Sequence, residues 1–259
     1  KYSNASKIIN NNLSPYNAKT ILQSYGNRYL CVYPPSMPLA EKKLDSLYDL
    51  PFTRLPHSKY KEKIAAYEMI KFSITALRGC FGGCSFCSLS AHQGKEVQSR
   101  STESILKEVR NVTKMKDFTG HISDIGGPTA NMYKMYCNDN KIKSVCKKLS
   151  CIYPGICKYL KTDHTDLIKM LQRVRKEKNI KKVFVASGVR FDIANLSREY
   201  IRELARYHVS GQLKVAPEHC DSKVLHLMKK NPFSDFEKFK ERFLEESKRA
   251  GLKQFLVPY

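Results

Sequence analysis

No stretch of this sequence approaches the roughly eighteen consecutive apolar residues that a bilayer crossing needs, so a membrane span is excluded as its organising feature. Acidic side chains are scarce. The 24 Asp and Glu stand against 46 Lys and Arg, and the net charge of +22 favours acidic partners such as nucleic acid or phosphorylated ligands. Lysines outnumber arginines 33 to 13, however, and a diffuse lysine excess marks solvated surface more often than a binding patch. No secretory leader opens the chain and the cysteine count, nine, is odd, which argues against a disulfide framework and predicts reduced thiols in a cytoplasmic setting. An initiating methionine is missing too. Lys1 comes first and Gln254 to Tyr259 lie inside an apolar run, so both ends are expected to be cuts within a longer protein. What remains is 259 residues, 42% hydrophobic and 27% charged, enough to bury a core without disulfide staples.

Residues 1 to 60 read as an extension and linker, the tail of a preceding domain. A helix is expected near Asn17 to Tyr25, a strand at Tyr29 to Tyr33, and a proline-bearing linker from Leu44 to Tyr60. From residue 61 onward, short β-rich runs alternate with amphipathic stretches. Strands are expected at Met69–Leu77, His121–Ile125, Lys182–Ala186, Gln212–Ala216 and Lys253–Val257. Helical stripes fall on Ile105, Leu106, Val109 and Val112; on Leu167, Ile168, Leu171 and Val174; and on Ile201, Leu204 and Ala205. A capping box from Ser234 to Glu237 precedes a stripe of Phe236, Phe239 and Phe243. Alternation of this kind predicts an α/β fold of parallel βαβ units, a sheet or a (βα) barrel left incomplete at the C-terminal end. Function in such folds collects in the loops leaving the carboxyl ends of the strands.

The loop after the first expected strand carries Cys80, Cys84 and Cys87 in a C-x3-C-x2-C array with three glycines, Gly79, Gly82 and Gly83. Thiolates this close repel one another unless a cation collects them, and glycine lets backbone wrap around something bulky. Structural zinc takes four closed ligands, so three sulfurs suit it poorly. An iron–sulfur cube suits them better: three cysteines leave one iron open to an outside ligand.

These cysteines resemble the signature of the radical S-adenosylmethionine (radical SAM) superfamily. Leu50–His57, Arg78–Ser88, Gln98–Ser101, Gly126–Tyr133 and Ala216–His219 further resemble the YgiQ-type radical SAM family, over a span from about Leu13 to Tyr259. The resemblance implies a partial (βα) barrel of radical SAM type over residues 61–259 with a cysteine-rich insertion at about 132–162. It also implies a 4Fe-4S cluster on Cys80, Cys84 and Cys87, and reductive cleavage of S-adenosylmethionine to a 5'-deoxyadenosyl radical acting on an unknown substrate. An electron-donor protein would be a partner. Phe86 would pack near the adenine, and Gly126 and Gly127 would form the methionine-binding turn, although Pro128 stands where many members carry an acid. Ser187, Arg190 and Glu218, at later strand exits, would bind methionine carboxylate or ribose hydroxyls. His219 is a candidate proton donor, against the commoner structural role of a lone histidine.

A second group, Cys137, Cys146, Cys151 and Cys157, is spaced C-x8-C-x4-C-x5-C among lysines. Four sulfurs so grouped select either a tetrahedral zinc or a second iron–sulfur cluster, and the sequence leaves the two open. Cys31 and Cys220 lack partners and default to packing. The rival reading is a zinc-stabilised nucleic-acid-binding module without redox activity, carried by the charge and the two cysteine groups. A pure electron carrier would need every iron ligated by protein. On either the radical or the binding reading, the charge leaves RNA or a small phosphorylated molecule as the acidic partner.

Overall fold

Three parallel strand pairs form the framework, in a computed structural model that describes every residue from Lys1 to Tyr259. Ser73–Thr75 pairs with Asp124–Gly126, His121–Ile122 pairs with Lys182–Val183, and Gln212–Val215 pairs with Phe255–Pro258. Residues 121–126 thus form one strand interrupted at Ser123, lying between the strand at 73–75 and that at 182–183. Backbone bonds from Ala76 N–H to the Gly126 carbonyl (2.7 Å) and from Ile125 N–H to the Phe184 carbonyl (3.0 Å) extend the pairing past the formal strand ends. The expected α/β alternation is therefore present. Barrel closure is not: the bonded strands make six two-stranded sheets, none of which closes on itself.

The helices that cover these strands bury the stripes expected of them. Thr102–Val112 turns Ile105, Leu106, Val109 and Val112 inward, and Thr165–Arg175 does the same with Leu167, Ile168, Leu171 and Val174. Phe233–Arg249 buries Phe236, Phe239 and Phe243. All join one continuous apolar core with Ile74, Ile122, Val183 and Leu213. Burial of this kind contributes roughly 25 cal/mol per Å² of apolar surface, which is what holds such short strands in register. Ile201, Leu204 and Ala205 are also buried, across a junction where the helix Arg198–Glu203 widens into a π-type turn over Leu204–His208. His208 is fully buried there, its ring nitrogens 2.8 Å from the Val183 carbonyl and 3.2 Å from Glu203.

Several local expectations are corrected. Asn17–Tyr25 is not a helix: Ile21–Tyr25 is a strand, paired antiparallel with Arg28–Val32 around Gly26 and Asn27. Gly26 sits at φ +60 at the first central position of that two-residue turn, where only glycine is comfortable. The first core strand begins at Ser73 and not at Met69, because Ala65–Ile70, rich in the helix formers Ala, Glu and Met, is helical. Leu44–Tyr48 belongs to a helix, Glu41–Tyr48, with Leu44 buried, so the linker is shorter than expected. The Ser234–Glu237 capping box does not form; the helix starts two residues earlier, with Pro232 rather than Ser234 at its N-cap and no side-chain cap. Cys31 and Cys220 are exposed rather than packed.

The sequence landmarks around the core have a packing reason. Arg100, 1% exposed, lies over the Tyr48 ring at 4.1 Å and donates to the Thr75 carbonyl (2.9 Å) and to Glu108. Glu108 also accepts from Arg54, whose other nitrogen reaches the Ser73 carbonyl at 2.6 Å. The 50–57 segment is thereby pinned to the first core strand.

Candidate metal and cofactor site

The cysteine loop leaves the first core strand through Leu77–Arg78, which pairs antiparallel with Gln98–Ser99. Its glycines are required by space. At Gly79 (φ +86) a Cβ would lie 2.2 Å from the Glu96 carbonyl oxygen, and at Gly83 (φ +63) it would lie 2.6 Å from the Leu149 carbonyl oxygen. At Gly82 a Cβ would sit 3.2 Å from Cys80 Sγ and 3.9 Å from Cys84 Sγ, so these two sulfurs share one side of the loop. Gly82 N–H points at Cys80 Sγ at 3.4 Å, and Thr129 Oγ1 lies 3.9 Å from the same sulfur. Cys80 is buried while Cys87 is exposed, and the Phe86 ring between Cys84 and Cys87 is 55% exposed. Burial pushes the Cys80 thiol up, against the Gly82 N–H, which favours the thiolate. The tip of the loop is fixed by Ser85, whose N–H and hydroxyl donate to the Met228 and Leu227 carbonyls at 3.0 and 2.7 Å.

Cations gather on the same sulfurs. Arg190 Nη1 points at Cys84 Sγ at 3.5 Å, while its remaining fork nitrogens engage both oxygens of Asp192. Burial disfavours the Arg190 cation, but Asp192 overrides that cost and holds it firmly charged. Asn131 locks the Arg190 backbone with two bonds, accepting from its N–H (2.8 Å) and donating to its carbonyl (2.9 Å). Lys230, 5% exposed, donates to the Ala216 carbonyl at 2.6 Å and lies 3.6 Å from Glu218. Burial and then the neighbouring Arg190 charge lower the Lys230 pKa, whereas Cys84, Glu218 and Asp192 support its cation. Glu218 itself adopts φ +72, a backbone conformation that non-glycine residues rarely hold.

The other residues singled out by sequence are accounted for in the same exits. Gly126 faces Ser187, whose Cβ and Oγ would be 2.6 and 2.3 Å from an added methyl, and Gly127 faces the Leu77 carbonyl oxygen at 2.5 Å. Ser187 is held by Asp124, which accepts from its N–H at 3.0 Å and from its hydroxyl. His219 is exposed, and its Nδ1 accepts from Asp221 N–H at 2.8 Å, a local turn contact. Lys230, Asn131, Asp192 and Thr129 join the site beyond the residues expected from the sequence. Lys230 sits in the run Lys229-Lys230-Asn231 of a lysine-rich chain, where nothing marks it as the buried one.

Three thiols on a glycine-cut loop, bordered by a paired guanidinium and a buried ammonium, match the donor set that a thiolate-ligated cluster requires. A family model for the radical SAM superfamily matches residues 74–257, and one for the radical SAM N-terminal region matches residues 1–73. The chain belongs to the radical SAM superfamily. Curated relatives agree: the whole chain is 48% identical to a UPF0313 protein of Bradyrhizobium diazoefficiens, of which it covers 39%. It is 47% identical to the UPF0313 protein YgiQ of Salmonella typhimurium, covering 36% of that protein, which bears out the YgiQ-type resemblance. The chain thus spans a little over a third of the length of these relatives. Among solved structures, a cobalamin-dependent S-adenosylmethionine radical enzyme, OxsB, with aqua-cobalamin bound, aligns with 99% of this chain and 32% of its own, at a TM-score of 0.51 and 12% identity. That likeness speaks to the fold alone.

In this radical SAM chain the second cysteine group lies beside the Cys80–Cys87 loop. Tyr136–Cys137 and Leu160–Lys161 pair antiparallel and close the base of the cysteine-rich segment. Cys151 N–H donates to the Phe81 carbonyl at 3.0 Å, and Ser150 Oγ donates to the Gly82 carbonyl at 2.8 Å. Burial pushes the Cys151 thiol up to about 11. No three His, Cys, Asp or Glu side chains are gathered as tightly as a single bare ion would hold them. No helix is long and apolar enough to cross a membrane.

Proposed function

We propose that the chain is the catalytic core of a radical SAM enzyme, arranged as a partial barrel over residues 61–259 behind an extension at 1–60. Cys80, Cys84 and Cys87 would hold a 4Fe-4S cluster with one iron left for the cofactor. When bound and reduced, such a cluster supplies the electron that splits the sulfonium of S-adenosylmethionine into methionine and a 5'-deoxyadenosyl radical. The observation that carries the reading is the Arg190 guanidinium 3.5 Å from Cys84 Sγ, on strand exits that flank the strand at 121–126. Its fork is occupied by Asp192, so Arg190 serves the sulfur charge more directly than a cofactor carboxylate. Lys230, buried and near Glu218, is the better-placed cation for the methionine carboxylate, and Glu218 for ribose hydroxyls. Gly126 and Gly127 keep the second exit narrow, and Phe86 is free to fold over adenine. His219, committed to its turn, supports a structural role more than proton transfer.

Nine free thiols suit a reducing cytoplasm, with an electron-donor protein as partner. The substrate class favoured by the +22 charge is acidic, RNA included. The reading is tested by incubating anaerobically purified protein with S-adenosylmethionine and a strong reductant. Release of 5'-deoxyadenosine, abolished by Cys80→Ala, Cys84→Ala or Cys87→Ala, is expected. Equal release from those variants would refute it.

A further inference from the structure

Six of the nine cysteines take no part in the site above, and four of them, Cys137, Cys146, Cys151 and Cys157, line one cavity together with Phe81 and Lys95. Residues 146–159, which supply three of these four cysteines, contain neither helix nor strand. They nonetheless follow a fixed path. Cys157 N–H donates to the Cys151 carbonyl at 2.8 Å, and Asn17 Nδ2 donates to the Cys146 carbonyl at 3.1 Å. Irregular segments of about this length are uncommon inside a fold and usually carry function, and a metal bound by such a segment orders it. Cysteine used as mere apolar filler belongs in apolar elements. Here Lys95 Nζ points at Cys146 Sγ at 3.7 Å and at the Lys148 carbonyl at 2.7 Å, an ammonium suited to offset thiolate charge.

We infer that Cys137, Cys146, Cys151 and Cys157 hold a second, thiolate-ligated metal centre, either zinc or an iron–sulfur cluster, packed against the backbone of the Cys80–Cys87 loop. The four residues line one cavity, but no three of them are grouped closely enough to hold a metal ion as they stand. Either centre would draw the irregular segment inward. In either form the centre would brace residues 149–151, which touch the cluster loop at Phe81 and Gly82.

The inference stands apart from the reading of the triplet, because a Cys80→Ala/Cys84→Ala/Cys87→Ala variant isolates the second site. After anaerobic reconstitution and gel filtration, that variant is expected to retain either about four irons with iron–sulfur absorbance or about one zinc per chain. Adding Cys146→Ser is expected to remove that metal. The intact protein provides a check independent of any variant's folding: about eight irons, or about four irons and one zinc. Intact protein that binds about four irons and no zinc, all of it lost with the triplet, overturns the inference.

Discussion

At the scale of single residues, the structure separates groups that share a sequence environment. His164 is 2% exposed, stacked on the Tyr200 ring at 4.5 Å, and neither ring nitrogen has a hydrogen-bond partner. Burial lowers its pKa from 6.5 to about 4. Between those values the unfolded chain binds the proton that the folded chain refuses, so stability rises with pH through this window. The contribution is complete above the upper value and drains away as pH falls. By pH 5 this histidine is expected to have cost about 2 kcal/mol relative to pH 7.5. Urea unfolding at the two pH values, in the parent and in His164→Leu, isolates it: the pH-dependent loss should shrink by that amount in the variant. An identical loss in both proteins would remove His164 as the cause. Sequence could not single out this histidine, or Lys230, because only burial distinguishes them from their exposed neighbours. The Cys80–Cys84–Cys87 triplet was legible as a candidate because spacing and chemistry coincide in three residues of one loop.

At the scale of elements, amphipathic stripes were legible because a helix must bury one face, and Ile105 to Val112, Leu167 to Val174 and Phe236 to Phe243 all do so. Boundaries were less legible. The helix at Ala65–Ile70 and the hairpin at 21–32 depend on a few residues of local preference, and the hairpin buries almost nothing that a pattern could reveal. The contact between cluster loop and irregular segment was not legible either, since it joins backbones far apart in sequence. Two glycines test it. Gly94 (φ +88) has open space around its missing Cβ, whereas at Gly83 (φ +63) the carbonyl of Leu149 is in the way. Gly94→Ala should cost about 1 kcal/mol from backbone conformation alone. Gly83→Ala should cost about 1–3 kcal/mol more and lower cluster occupancy, because backbone must shift. Thermal melts and iron content of the two variants measure the difference; equal effects would mean that the segment does not brace the loop.

At the scale of the whole molecule, strand exits far apart in sequence bring Cys84, Arg190, Glu218 and Lys230 into one group. The order of βαβ units made the convergence of Cys84, Arg190 and Glu218 readable in the sequence, since parallel strands deliver their following loops to one side, whereas Lys230 was not readable. Closure of the sheet was not readable, because it depends on pairings beyond the alternation itself, and the strands here form an open arrangement. The net charge of +22 is likewise a property of the whole surface, and on the proposed reading it is the cysteine loop with its two cations that would decide the chemistry. The most direct measurement is low-temperature electron paramagnetic resonance of the reduced protein, with and without S-adenosylmethionine. The account predicts that the part of the spectrum abolished by Cys84→Ala changes shape when S-adenosylmethionine is added. A cluster signal that saturating S-adenosylmethionine leaves untouched, or a triplet that carries only a redox-silent ion, would contradict it.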